Sequence, residues 1–147
     1  MNESFNIEKV AVLGTGVMGA QIAAHLSNVK IPVLGYDIPQ EVAQKGIEAS
    51  INIKPNPYYN PKTISLITPL NYDDHIDQIS ECDWIIEVIE ERLDWKQDLY
   101  RNIQPHLKKD AIITSNTSGI SAAELISEMD DGMASRFFIT HFFNPPR

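Results

Sequence analysis

Val10-Ala11-Val12-Leu13-Gly14-Thr15-Gly16-Val17-Met18-Gly19 decides the fold. Four apolar residues of strand character open directly into G-x-G-x-x-G, and an uninterrupted helical pattern follows from Met18 to Asn28, with Ile22, Ala23 and Leu26 on one face. A strand, a glycine turn and a helix in that order make the phosphate cradle of a dinucleotide site. Gly14 allows the sharp turn, Gly16 lets the backbone approach a pyrophosphate, and Gly19 lets the helix pack on the strand. The helix N-terminus adds free N–H groups and the positive end of its dipole, both suited to phosphate. Val17 and Met18, the first residues of the helix, lie on the same phosphate path.

Glycine-rich turns occur in many folds, so the inference rests on what comes next. Pro32-Val33-Leu34-Gly35-Tyr36-Asp37 reads as a second strand ending in an acid. Its distance from the glycines is close to the roughly 20 residues expected for a carboxylate that accepts from a ribose 2′-OH. Asp37, with Ile38 beside it, therefore points to NAD: a 2′-phosphate would face a carboxylate, and no Arg follows nearby. The alternative is that Asp37 caps the next helix.

At 147 residues the chain has room for one domain with a real core but is short for an enzyme of two. The formal net charge of −8 and the absence of a basic stripe argue against nucleic acid as a partner. The single cysteine, Cys82, excludes an internal disulfide and fits a reducing cytosol. Placed just before a strand, it reads as a small packed side chain, not a nucleophile. Met1 to Asn6 is polar, and no apolar run approaches the roughly 20 residues of a membrane span. These features read as a cytoplasmic, unanchored protein; no metal site is read.

Further along, apolar runs alternate with helical patterns, the signature of a parallel sheet covered on both faces: a doubly wound α/β fold in three layers. About six strands are expected. After the first two come Ile64 to Thr68, Trp84 to Ile89, Ala111 to Ser115 and Phe137 to His141. Helices are expected near Glu41 to Ile53, Asp73 to Ile79, Leu93 to Ile103 and Ala122 to Met129. Lys54 to Lys62, with Pro55, Pro57 and Pro61, reads as an irregular loop. Its Tyr58 and Tyr59 cover either a ligand or the sheet.

Ser115-Asn116-Thr117-Ser118-Gly119 ends one strand in small hydroxyl and amide side chains, at the sheet edge where open parallel sheets bind ligands. Turn and cap chemistry explains the same residues. The next strand ends in Thr140-His141-Phe142-Phe143-Asn144-Pro145-Pro146. A histidine leaving the sheet at the same edge as Ser118 suits a general base, because its unperturbed pKa lies near neutrality. His25, His75 and His106 read as structural.

With these residues together, VAVLGTGVMGAQIA, Asp37, WIIEVIEE, SNTSG and HFFNPPR resemble the NAD-binding domain of the L-3-hydroxyacyl-CoA dehydrogenases. That family includes short-chain 3-hydroxybutyryl-CoA enzymes and large multifunctional fatty-acid oxidation proteins. The resemblance runs from about Lys9 to Arg147, so residues 1–147 are read as one Rossmann domain with NAD as cofactor and acyl-CoA as substrate. It implies that His141 takes the proton of the substrate 3-hydroxyl, that Ser118 contacts that hydroxyl and the nicotinamide region, and that Asn144 belongs to the same site. Glu87, Glu91 and Lys96 match the family's E-x-x-x-E and following lysine, which sets Glu91 and Lys96 along the ribose and nicotinamide side. Without the match, Glu91 and Lys96 read equally well as solvated surface charges. Lys45 to Ser50 resembles the helix that touches coenzyme A, with Ser50 as a substrate contact.

The chain departs from the family in two places. The Pro-rich loop replaces a longer basic hairpin, leaving Lys54 and Lys62 as candidate phosphate contacts. The glutamate that orients the family's histidine, and the helical domain that closes the cleft and forms the dimer, would lie beyond Arg147. The ending therefore reads as a cut within a longer, dimeric parent, and the chain alone is expected to bind NAD but turn over poorly. The parent reads as a bacterial multifunctional protein of β-oxidation. The alternatives are a stand-alone 3-hydroxybutyryl-CoA dehydrogenase and a structural, crystallin-like relative.

Overall fold

The computed structural model describes residues 5–146; Met1 to Ser4 of the polar N-terminus and Arg147 of the last motif lie outside it. Six strands form one parallel sheet: β1 (Val10–Leu13), β2 (Val33–Tyr36), β3 (Ile67–Leu70), β4 (Trp84–Glu87), β5 (Ile112–Ser115) and β6 (Phe137–Ile139). Their spatial order is β3-β2-β1-β4-β5-β6. The chain winds outward from β1 to β3, returns to the other side of β1, and winds outward again to β6. The expected doubly wound Rossmann topology is therefore present, with its switch point between β1 and β4.

Helices α1 (Val17–Asn28) and α2 (Gln40–Ser50) belong to the first half. In the second half come α3 (Tyr72–His75), α4 (Leu93–Ile103), α5 (Ala122–Ile126) and α6 (Asp131–Ala134). The central strands are apolar on both faces because both are covered. Val10, Val12 and Ile86 pack with Ile22, Ala23 and Ile47, residues of α1 and α2. Ala11, Leu13, Ile85 and Ile113 pack with Tyr100, Ile103 and Leu125, residues of α4 and α5. α4 buries Lys96, Tyr100 and Ile103, a four- and three-residue spacing that keeps them on one face. Cys82 is fully buried, and burial pushes its thiol up to about 12, in keeping with a packed, unreactive side chain.

The differences from the sequence reading have local causes. β3 lies at Ile67–Leu70, not Ile64 to Thr68, and Pro61–Leu66 is a 3₁₀ segment started by the Asn60 side chain. Pro69 does not end the strand, because β3 is a sheet edge, where a residue without an N–H is tolerated. The helix expected over Asp73 to Ile79 is a single turn, capped by Asn71, that tightens into a 3₁₀ segment at Ile76–Glu81. α5 stops at Ile126, and α6, capped by Asp130, was not anticipated. In the Pro-rich loop, Tyr58 is buried in the α1/α2 core while Tyr59 is exposed. Tyr58 thus covers the sheet.

The glycine turn is held from two sides. Gly14 has φ +100°, and a Cβ there would stand 2.8 Å from the Val88 carbonyl oxygen. A Cβ on Gly19 would overlap the Gly14 carbonyl oxygen. Gly→Ala within an ordinary helix stabilises by about 0.5–1 kcal/mol. Here Gly19→Ala forces α1 away from backbone that cannot yield, so urea unfolding should show the opposite sign, a loss of about 3 kcal/mol.

Candidate functional site

At the switch point the chain leaves the paired ends of β1 and β4 for helices on opposite faces of the sheet, and a crevice of about 750 Å³ lies there. Gly14, Gly16, Asp37 and Ile38 line one side, and Val88 to Glu90 with Trp95 and Asn102 line the other. Gly16 caps α1, and a Cβ at that position would meet nothing within 4 Å, so the backbone faces open space. Helices α3, α5 and α6 begin with side-chain caps. α1 has neither a capping side chain nor an acid in its first turn. A phosphate is the complement of that end. Val17 is exposed beside it and Met18 half-buried.

Asp37 is not the cap of α2, a place taken by Pro39. Its Oδ2 accepts from the N–H and the hydroxyl of Thr15, both at 2.8 Å, and its Oδ1 accepts from Ile38 N at 2.9 Å. The carboxylate is thereby fixed at the crevice edge, where the sequence reading places it. Thr15 carries no motif signal and was missed.

Across the crevice, Glu87 is fully buried and accepts four hydrogen bonds. The donors are Lys96 Nζ at 2.6 Å, Tyr100 OH at 2.8 Å, Ser115 Oγ at 2.5 Å and Ile89 N at 2.7 Å. Lys96 is fully buried too, so it is no solvated surface charge, and its ammonium also reaches the Ile89 carbonyl oxygen at 3.3 Å. Burial, and after it the Glu87 charge, pushes the Tyr100 hydroxyl far above its ordinary value. Glu91, by contrast, is exposed. Partial burial works to raise its pKa, but the Thr117 hydroxyl, the Lys96 charge and the N–H groups of Ser118 and Ile120 outweigh it and hold the carboxyl below the usual range.

Ser118, His141 and Asn144 are all exposed at the same end of the sheet. Three hydrogen bonds tie together the segments that carry them, and none of the three residues lines the crevice itself. Thr140 N donates to Ser115 O at 3.1 Å, Phe142 N to Asn116 Oδ1 at 2.7 Å, and Gln21 Nε2 to Asn144 Oδ1 at 3.3 Å. The first two lash the exit of β6 to the exit of β5; the third brings the histidine segment onto α1. The His141 ring meets Phe143 edge-on, with centroids 5.3 Å apart. Ser50 requires correction: it is fully buried, donates to Ile47 O at 2.5 Å and shares a hydrogen bond with Tyr58 OH at 2.8 Å. Its hydroxyl serves the packing of the Pro-rich loop and is not presented to a substrate. Lys54 and Lys62 are exposed.

A parallel sheet of this order, with a glycine turn, an uncapped helix start and a carboxylate fixed at the edge of an open crevice, is a dinucleotide-binding domain. A family model described as "3-hydroxyacyl-CoA dehydrogenase, NAD binding domain" matches residues 9–147, and the chain belongs to that family. It is 40% identical over 163 residues to "Probable 3-hydroxyacyl-CoA dehydrogenase" of Bacillus subtilis (strain 168), covering 97% of this chain and 21% of that protein. It is 33% identical over 152 residues to "Fatty acid oxidation complex subunit alpha" of Psychrobacter cryohalolentis, covering 97% of this chain and 20% of that one. Among solved structures, 3-hydroxybutyryl-CoA dehydrogenase from Escherichia coli K12 superposes with a TM-score of 0.81 at 29% identity, over 96% of this chain and 30% of that one. The chain thus spans about a fifth of the length of these two curated relatives.

Breaking a buried ion pair from one side leaves an uncompensated charge. Lys96→Met should therefore lower stability by about 3 kcal/mol, read by urea unfolding. Arg101→Met, which removes only exposed pairs to Asp98 and Glu128, should leave the urea midpoint almost unchanged.

Proposed function

We propose that this chain is the cofactor-binding part of an enzyme that oxidises L-3-hydroxyacyl-CoA to 3-ketoacyl-CoA, with NAD lying across the β1–β4 crevice. One observation carries the reading. The hydrogen bonds that join β6 to β5 and Asn144 to Gln21 hold the segments bearing Ser118, His141 and Asn144 to the sheet end that also bears the glycine turn and Asp37, which supports the reading. A proton acceptor and a dinucleotide cradle at one edge are what hydroxyl oxidation needs.

NAD, when bound, supplies the acceptor for the hydride leaving C3. The chain's own residues do the rest. The N–H groups at the start of α1 receive the pyrophosphate, and Asp37 accepts from the adenosine ribose. Glu91, kept ionised by Thr117 and its neighbours, lies on the nicotinamide-ribose side. Lys96 acts there through the Glu87 pair that fixes the β4–α4 turn. His141 takes the proton of the 3-hydroxyl as the C–O bond becomes a carbonyl, and Ser118 orients that hydroxyl. Lys54 and Lys62 remain candidates for the coenzyme A phosphates. A non-catalytic, crystallin-like role leaves the set of Ser118, His141 and Asn144 without a use.

The resemblance assigns the second wall of the cleft and the dimer contact to a helical domain that this match does not include. Acyl-chain preference would separate a multifunctional parent from a stand-alone 3-hydroxybutyryl-CoA enzyme. The acidic charge and the lone, buried Cys82 suit a cytoplasmic protein with no nucleic-acid partner. Among the described residues no helix is long and apolar enough to cross a membrane.

Calorimetric titration tests the cofactor half of the reading. NADH should bind saturably and more tightly than NADPH, and Asp37→Ala should weaken it about tenfold, the worth of a hydrogen bond to a charged group. Equal binding of the two cofactors would sink the assignment. Turnover tests the other half. Hydride transfer needs its partners held in reacting geometry, so NADH-dependent reduction of acetoacetyl-CoA by this chain alone should stay near background, and vigorous reduction would show that no second wall is required.

A further inference from the structure

Thr15 stands between the two leading glycines and is almost fully buried. Gly14 N donates to Tyr36 O at 2.8 Å, continuing the β1–β2 ladder beyond Leu13. Beyond that rung the backbone leaves strand geometry, and Thr15 N donates to the Asp37 side chain, at Oδ2. The Thr15 hydroxyl donates to the same oxygen, also at 2.8 Å. Thr15 has no freedom to turn away. A Cβ on Gly35 would come within 3.3 Å of its methyl group, and one on Gly46 would overlap its carbonyl oxygen. Two glycines, one in β2 and one in α2, therefore close around it.

The consequence follows from counting acceptors. An ionised carboxylate offers about four lone-pair positions, two on each oxygen. Thr15 fills both on Oδ2, and Ile38 N fills one on Oδ1. One position, on Oδ1, is left for a ligand. We propose that Thr15 is a specificity-determining residue of the cofactor site, because by saturating Oδ2 it makes Asp37 hold the adenosine ribose through one hydroxyl only. This rests on the reading that NAD binds here with Asp37 on its ribose.

The same lock acts against NADP. A free carboxylate could rotate away from a 2′-phosphate; one held by three donors cannot. The other charged residues lining the crevice, Asp73, Glu90 and Asp98, share its sign, so no cation there offers relief. Thr15 is thus a positioning residue whose effect is read in selectivity. A merely structural role would change stability and leave the cofactor preference as it was.

The experiment is a calorimetric titration of the 147-residue chain with NADH, 2′-deoxy-NADH, 3′-deoxy-NADH and NADPH. It is repeated on Thr15→Val, which keeps the shape and loses the hydroxyl, and on Thr15→Ser, which keeps the hydroxyl. In the parent chain one deoxy analogue should bind within about twofold of NADH, and the other about tenfold more weakly. In Thr15→Val, with a position on Oδ2 vacated and only the two backbone donors left on the carboxylate, both analogues should lose affinity relative to NADH. Its preference for NADH over NADPH should also shrink by about five- to tenfold. Thr15→Ser should keep the parent pattern. Equal losses for both analogues in the parent chain, or an unchanged preference in Thr15→Val, would overturn the inference while leaving the NAD assignment intact. Absence of NADH binding to the parent chain would overturn both.

Discussion

The crevice depends on a carboxylate that never sees water. Glu87 ends β4 at the switch point, where the chain leaves β1 and β4 for opposite faces and polar groups must be satisfied without filling the crevice. Its four donors come from α4, from β5 and from the turn after β4. An isolated buried charge would cost far more than a domain of this size has in reserve. With Lys96 opposite and the remaining lone pairs occupied, it becomes a fixed point from which the turn leaves at a set angle. The exposed Glu91 is placed by what is buried beneath it.

The opposite wall is built by different means. There the backbone itself forms the surface, and the limiting quantity is space. Gly14 passes so close to Val88, and α1 so close to Gly14, that side chains are excluded at both contacts. One wall is stiff because atoms are missing and the other because charges are matched. Both leave their ligand-facing groups held in place before anything binds, which keeps the ordering cost of association low.

Most of this fold was legible because the signals were local. The strand–glycine–helix run, the acid at Asp37 and α4 from Leu93 to Ile103 were all placed from sequence. What escaped was decided by neighbours distant in the chain. The strand read over Ile64 to Thr68 lies at Ile67–Leu70 and takes in Pro69, which the sheet order permits by making β3 an edge. Lys96 reads equally well as a surface charge until Glu87 is known to meet it in the interior. Ser50 carried a family expectation, but a loop eight residues further on returns Tyr58 onto its hydroxyl and seals it. Thr15 sits at a position that the glycine motif leaves unspecified, and its meaning exists only once β2 has delivered Asp37 beside it. The histidine segment was legible as a motif; its attachment to α1 through Gln21 was not.

The sheet order also bears on how the molecule comes together. Each half, β1 to β3 and β4 to β6, is wound from neighbours in sequence, but the strands on either side of the crevice are far apart along the chain. Lys9 and Asp83, bonded at the foot of this seam, are separated by 74 positions. Closing so long a loop carries an entropic cost that must be met before the contacts beyond it form, and such contacts are the slow ones in folding. The ligand-binding seam is thus also the joint between two separately wound halves. Any molecule bridging it acts as a clasp, favouring the joined state by mass action and slowing the opening of that boundary.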